Sequence, residues 1–127
     1  MNAYMNSAAV MDDRYFYVFR KMDDLSRVDP SMTWVFIDEH EDTIGSGWFY
    51  TFVPTPSDPG TQSWFQLPTS RHESAATLSF ADGHVSTKKW VDPLTRKPVT
   101  RTRYIPSFAE NADAAWLAER STRAKSP

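Results

Sequence analysis

Residues 71–90 read RHESAATLSFADGHVSTKKW, and this stretch predicts the β-hairpin around which the fold is built. Residues 76–81 alternate apolar with small or polar side chains, Asp82-Gly83 is a typical two-residue turn, and residues 85–90 continue the strand pattern. The sequence therefore predicts an antiparallel strand pair whose turn lies at Asp82-Gly83.

A two-residue turn also fixes which residues face each other across the hairpin. The predicted pairs are Ala81 with His84, Phe80 with Val85, Ser79 with Ser86, and Leu78 with Thr87. Because opposite residues share one face of a sheet, we expect Leu78, Phe80 and Val85 to face the core. His84 is expected on the other face among small side chains, with space beside it for a packed element or a bound group.

The composition indicates one β-rich domain spanning residues 1–127. Aromatic residues make up 14% of the chain, and nine prolines interrupt it. The absence of cysteine excludes disulfides, thiolate metal sites and cysteine nucleophiles. The chain shows no apolar run of membrane-spanning length and no signal-peptide pattern, so we expect it to be soluble, without a membrane span. We predict a mainly β fold, a compact antiparallel sandwich or jelly-roll-like sheet, with a long Pro-rich loop and a short C-terminal helix.

The two halves of the chain carry opposite charge. Residues 1–58 hold ten acidic and four basic side chains, whereas residues 59–127 hold six acidic and ten basic ones. We interpret this as two halves that lie side by side and partly neutralise each other. The basic residues lack a glycine-rich phosphate loop and a recognition-helix pattern, which argues against nucleic-acid partners and against a nucleotide cofactor.

Four further segments are strand candidates: 15–19, 33–37, 48–53 and 96–105. The segment TWVFI at 33–37 is the most apolar and is expected to be buried on both faces, whereas the basic, threonine-rich segment 96–105 suits an edge strand. After TWVFI, strand alternation directs Asp38 and His40 to one face and Glu39 to the other.

The remaining chain is expected to be irregular apart from one helix. The irregular segments are the start at 1–13, the long Pro-rich loop at 54–70 and a frayed tail at 121–127. Residues 107–110 fit a capping box that starts at Ser107, with Asn111 as a competing cap, and predict a short helix that ends near Arg120.

Each of the three histidines has a carboxylate close by in the sequence. Asp38-x-His40 and Asp82-x-His84 share one spacing, and on a strand such a pair presents both side chains to one side. We predict a metal site whose ligands are His40, His72, His84 and Asp38. Four further residues are expected to support these ligands or to form the hairpin turn: Asp82, Gly83, Glu39 and Arg71. Copper would suit an all-histidine shell and zinc a His/Asp shell. The alternative is structural: charged hydrogen bonds that pin the hairpin to the 33–40 strand.

Aromatic residues also suggest a carbohydrate platform, whose candidate contacts are Trp48, Tyr50 and Trp64. For the alternating aromatic stripe at 48–52, core packing is the favoured interpretation, because aromatic residues at alternate strand positions are normally buried.

The chain resembles bacterial pilin-like proteins of the type II secretion pseudopilin-like kind. The motif in this chain, in which nine residues separate His72 from Asp82-Gly83, is similar to the H-X9-DG signature of that family. The resemblance extends to the segments 30–44, 78–90 and 111–123 and to MNAYMN at the start, and so spans nearly the whole chain. The long apolar prepilin helix with which such proteins normally begin does not appear in this sequence.

The resemblance implies a soluble β-rich head domain at the cell envelope or outside the cell, and it leaves open whether the protein is an enzyme. One hypothesis is a structural or interaction module of a secretion or cell-surface system that carries the His/Asp metal site; a homodimer is an open alternative. The other is a small copper- or zinc-dependent enzyme acting on extracellular polysaccharide, oxidative if it uses copper. Either metal site requires strand 33–40 to lie beside or face strand 84–90.

Overall fold

The computed structural model describes residues 1–6, 14–55 and 57–125. Its strands are β1 (Trp34–Ile37), β2 (Ala75–Phe80) and β3 (Val85–Lys89), and its helix is α1 (Ala112–Ala118). Three short 3-10 helices cover Met22–Arg27, Pro30–Met32 and Glu41–Thr43. The strands form one antiparallel sheet in the order β1-β2-β3. Because β2 lies between β1 and β3, the predicted contact of strand 33–40 with strand 84–90 is wrong.

The hairpin turn contains three residues rather than two, which changes the predicted register. The Phe80 N–H donates to His84 O and the Gly83 N–H donates to Phe80 O, each at 2.9 Å, with Gly83 at φ +93°. The observed pairs are Ala75 with Lys89, Ala76 with Lys88, Thr77 with Thr87, Leu78 with Ser86, and Ser79 with Val85. Val85 is therefore 64% exposed instead of facing the core, and His84 lies on the same face as Phe80.

The sheet is buried on one face and exposed on the other. Trp34 of β1 is fully buried, but Phe36 is 53% exposed, and a register irregularity separates the two. Phe36 pairs with Ser79, which in turn pairs with the exposed Val85, so these three lie in one row across the outer face. The expectation that 33–37 is buried on both faces is wrong, because its outer face is open to solvent.

The other strand candidates form isolated bridges or none. The bridges join Phe16 with Ala124, Asn2 with Phe49, and Thr51 with Trp64. Within 48–53 the predicted alternation is present, but the face buried in the core is that of Phe49 and Thr51. The stripe for which core packing was expected is only half-buried: Trp48, Tyr50 and Phe52. The segment 96–105 forms no strand, and the prediction of an edge strand there is wrong. The structure thus confirms antiparallel β structure with a short C-terminal helix, and the sandwich or jelly-roll arrangement stays a prediction.

The core contains a row of aromatic rings, each in edge-to-face contact with the next. The successive rings are Trp34, Phe49, Trp64, Trp90 and Trp116, with centroids 5.9–6.4 Å apart. Leu67, Leu78 and Leu117 fill the space around them. Such edge-to-face pairs add about 0.5–1.5 kcal/mol each beyond their buried area. This row of rings joins β1, the Pro-rich loop, the end of the hairpin and α1 in one core.

One hydroxyl connects four segments inside this core. The Ser121 Oγ accepts hydrogen bonds from the Trp34 indole N–H at 2.9 Å and the Thr51 hydroxyl at 2.7 Å, and donates to Leu117 O at 2.8 Å. The buried Asn2 amide donates to the carbonyls of Trp34 and Ser121. We call these five residues the Ser121 node.

The helix α1 is capped by Asn111 and not by Ser107. The Asn111 side chain accepts hydrogen bonds from the N–H groups of Asp113 and Ala114, as is typical of an N-cap residue. Asp113 is itself buried, and its carboxylate accepts the N–H groups that follow β3, those of Val91 and Asp92. These bonds fasten the helix start to the end of the hairpin.

The expected frayed tail is wrong for residues 121–125, because Ser121 and Thr122 are buried and the Lys125 N–H donates to Tyr15 O. The expected irregular start holds for 1–6, which form turns; the rest of that call, 7–13, and the last two residues of the tail lie outside the described residues. In the described part of the chain, no helix is long and apolar enough to cross a membrane.

Replacing Ser121 with alanine is expected to lower the free energy of unfolding by about 1–3 kcal/mol, because two buried donors lose their acceptor. Urea denaturation monitored by tryptophan fluorescence measures this change. Ser26→Ala, at an exposed hydroxyl, is the matched control and should leave the midpoint nearly unchanged. Equal midpoints for the two variants would show that the node does not stabilise the fold.

Gly83→Ala is expected to destabilise the protein by about 1–2 kcal/mol, because a side chain at φ +93° is strained even where space is available. Gly47→Ala serves as the control, since nothing lies within 4 Å of an added Cβ there and its φ is not in the left-handed region. Thermal unfolding of both variants tests the left-handed conformation of Gly83 in the turn; a neutral Gly83→Ala would contradict it.

Candidate functional site

His40 is buried at the end of β1, and both of its ring nitrogens are engaged. Its Nδ1 accepts the Asp42 N–H at 3.1 Å, so in the neutral ring Nε2 carries the proton and donates to Lys97 O at 2.8 Å. The ring thereby caps the 3-10 helix Glu41–Thr43 and holds the 97 loop. No lone pair is left for a metal ion in this arrangement.

Asp42 organises the segment that was predicted to be an edge strand. Its carboxylate accepts hydrogen bonds from the Thr100 N–H at 2.8 Å, the Thr100 hydroxyl at 2.9 Å and the Arg101 N–H at 2.9 Å. Led by the Thr100 N–H, these donors lower the pKa of Asp42 below its usual 3.8. The backbone of the loop is thus bound by a side chain instead of a neighbouring strand, a role for Asp42 that no local pattern in the sequence predicts.

His84 and Asp82 interact with each other at the tip of the hairpin. The Asp82 carboxylate accepts the His84 backbone N–H at 3.1 Å and also contacts the His84 Nδ1. The first of these bonds is the main reason that the pKa of Asp82 is lowered. The imidazole stacks on the Phe80 ring, with centroids 4.4 Å apart and planes 4° apart. With Gly83, these residues define the turn geometry.

The remaining predicted ligands lie at the other end of the sheet. His72 and Arg71 are exposed in the turn before β2, where Arg71 forms an ion pair with Glu41. Asp38 is exposed, whereas His40 is buried, so the expectation that both project from one face is wrong. The regular strand ends at Ile37, and alternation does not continue past it.

The structure does not bring the three histidines together. His72 precedes β2 and His84 follows it, so a strand of roughly 20 Å separates them. Since β1 runs antiparallel to β2, His40 lies toward the His72 end. Among the described residues, no three His, Cys, Asp or Glu side chains form a group that could hold a metal ion. The nine-residue spacer of the H-X9-DG motif is largely β2 itself, which spaces the histidine from the turn.

Glu39 is half-buried beside Pro68, and its Oε1 has no hydrogen-bond partner among the described residues. Burial raises the pKa of Glu39 to about 7. Glu39 therefore titrates near neutral pH, but it does not form a shared site with the three histidines.

The aromatic candidates separate into core and surface. Trp64 is only 4% exposed and donates its indole N–H to Thr95 Oγ1, so the expectation of a sugar contact there is wrong. Trp48 is half-buried on the outer side of its segment. Tyr50 is half-buried and lines an aromatic groove at the surface.

The aromatic groove is an open depression of 700 Å³. Its six rings belong to Tyr4, Tyr15, Phe16, Tyr50, Phe52 and Phe65, and its polar rim consists of Thr55, Ser57 and Asp58. Of these rings, the sequence predicted only Tyr50 as a ligand contact. The alternating stripe at 48–52 was a usable signal, but the contributions of residues 4, 15, 16 and 65 depend on how distant segments meet.

No protein-family model matches the chain, and no curated protein and no solved structure matches it either. The resemblance to pseudopilin-like proteins therefore stays a prediction.

The protein is expected to lose stability as the pH rises from about 4.5 to about 7. Across this window the folded state keeps the Glu39 proton that the unfolded state releases, so deprotonation favours unfolding. Melting temperatures at pH 5 and pH 8 measure the effect. Glu39→Gln should reduce the difference, and Glu73→Gln, at an exposed carboxylate, should not. A wild-type difference that survives Glu39→Gln would assign the effect to another group.

Proposed function

We propose that this chain is a soluble, extracytoplasmic, pseudopilin-like head domain with a structural or interaction role in a secretion or cell-surface system. The resemblance across the chain supports the cellular setting. The observation that carries the non-catalytic role is the use of the motif side chains: His40 binds backbone groups, and Asp82 and His84 bind each other at the turn. Side chains engaged in this way hold the backbone in place, which supports a structural role.

The sandwich or jelly-roll-like arrangement is part of this proposal. The buried Phe49 packs edge-to-face on Trp34 of β1, and the segment that carries it makes bridges to Asn2 and Trp64. This segment therefore contributes Phe49 to the same core that the sheet covers. A two-layered head is the arrangement that these contacts support best.

The second hypothesis, a copper- or zinc-dependent enzyme acting on extracellular polysaccharide, receives unequal support. Its metal requires His40, His72, His84 and Asp38 to converge, and the separation of His72 from His84 by β2 argues against that. Its polysaccharide partner is favoured by a separate observation, the aromatic groove. A binding role is therefore preferred over a catalytic one.

Fractionation of bacterial cells that carry the gene tests the proposal. We expect an antibody against the protein to detect it in the envelope fraction or the medium, because the proposed role lies outside the cytoplasm. A cytoplasmic enzyme and a periplasmic protein serve as markers of clean separation. Detection in the cytoplasmic fraction alone would contradict the proposal.

A further inference from the structure

The aromatic groove presents partly exposed rings that the core does not use. Tyr15 is 53% exposed and Phe65 is 44% exposed, and both line the groove. Large rings left at the surface around one depression are typical of binding sites, whereas scattered exposed apolar residues are ordinary. The volume of 700 Å³ lies within the range of small-ligand sites, so the groove is large enough for a ligand of several rings.

The rings of the groove are held in place by one another. Phe52 stacks on Phe65 at 3.8 Å with planes 22° apart, and Tyr50 meets Phe65 edge-on at 6.5 Å. On the other wall, Tyr4 meets Phe16 edge-on at 5.6 Å. Because the rings need little ordering when a ligand binds, the entropic cost of binding is reduced.

The groove has an uncharged interior with a polar rim at one end. Thr55 and Asp58 exchange backbone hydrogen bonds, and the Asp58 Oδ1 accepts the Gly60 N–H, which fixes the rim. Among the described residues that line the groove, Asp58 is the one charged side chain. The rim hydroxyls of Thr55 and Ser57 can both donate and accept hydrogen bonds.

Charges of both signs border the groove, and this selects against charged ligands. The Asp58 carboxylate repels phosphate, sulfate and uronate groups, and no lysine, arginine or histidine stands among the described lining residues to bind them. On the other side, the Arg14 guanidinium lies 5.5 Å from the centroid of the Tyr15 ring and disfavours a second cation there. A neutral ligand with apolar faces and hydroxyl edges fits both conditions.

We propose that the aromatic groove binds a neutral glycan. A pyranose ring has C–H faces that stack on aromatic rings and equatorial hydroxyls that can bond to Thr55, Ser57 and Asp58. The inference rests on the proposed function, in which the head domain works outside the cytoplasm and meets polysaccharide there. It assigns the carbohydrate contact to Tyr15, Tyr50 and Phe65 instead of Trp64.

Amide NMR titration of the full chain with neutral hexasaccharides tests this assignment. The probes are cellohexaose, laminarihexaose and mannohexaose, with hexagalacturonate as the anionic comparison and an uncharged proline-rich decapeptide as the peptide comparison. We expect saturable shifts at Tyr50, Phe52 and Phe65 with at least one neutral glycan, and none with hexagalacturonate.

Phe65→Ala should weaken glycan binding by at least about tenfold, as loss of a central aromatic contact does. Phe36→Ala, at an exposed ring on the outer face of the sheet, is the matched control and should bind like wild type. Asp58→Asn keeps the rim shape, and it should retain glycan binding if the ligand is neutral. Unchanged melting of the three variants excludes unfolding as the cause.

The outcomes separate this inference from the proposed function. Absence of binding to all three glycans, unchanged binding by Phe65→Ala, or binding of the decapeptide alone would overturn the glycan assignment. Envelope localisation combined with any of these results would leave the head-domain proposal standing. Glycan binding by a protein found only in the cytoplasm would overturn the proposed function and keep the site.

Discussion

The Ser121 hydroxyl joins β1 to two parts of the chain outside the sheet, the segment around Thr51 and the helix α1. It accepts hydrogen bonds from Trp34 in β1 and Thr51 in the segment 48–53, and it donates one to Leu117 in α1. All of these groups are buried, where an unpaired donor costs far more than a hydrogen bond contributes at the surface. A three-stranded sheet fixes only part of the chain, so the relative placement of the first residues, the 49–51 segment and the helix depends on this node.

The same principle explains the chemistry of the conspicuous polar residues. Asp42 binds the 100–101 backbone, Asp113 binds the backbone after β3, and His40 links its own helix to the 97 loop. Buried backbone N–H and C=O groups must be paired, and these side chains form the hydrogen bonds that neighbouring strands would form in a larger sheet. Of the residues that suggest a metal centre, His40 is engaged in this way and His84 contacts Asp82, whereas His72 and Asp38 are exposed. The aromatic groove is the surface that we propose for a ligand.

Prediction from sequence succeeded where local patterns decide structure. The hairpin and the alternation of Phe49 and Thr51 follow from neighbours in the chain, and Asn111, the alternative to the Ser107 capping box, caps the helix. Prediction failed where the length of the hairpin turn set the register of the strands that follow it. Asp82-Gly83 fits a two-residue turn, but Gly83 at φ +93° closes a three-residue one, and the one-residue shift moved Val85 from the predicted core to solvent.

The sequence by itself determined that this is an antiparallel, aromatic-rich fold with a hairpin turn at Asp82-Gly83 and a short C-terminal helix, because turn chemistry, alternation and capping act over a few residues. Only the tertiary structure decided which side chains meet. His72 and His84 share a motif yet lie at opposite ends of β2, because an extended strand of that length separates its flanks. Tyr15, Tyr50 and Phe65 share no motif yet line one groove, because the packing of distant segments places them there.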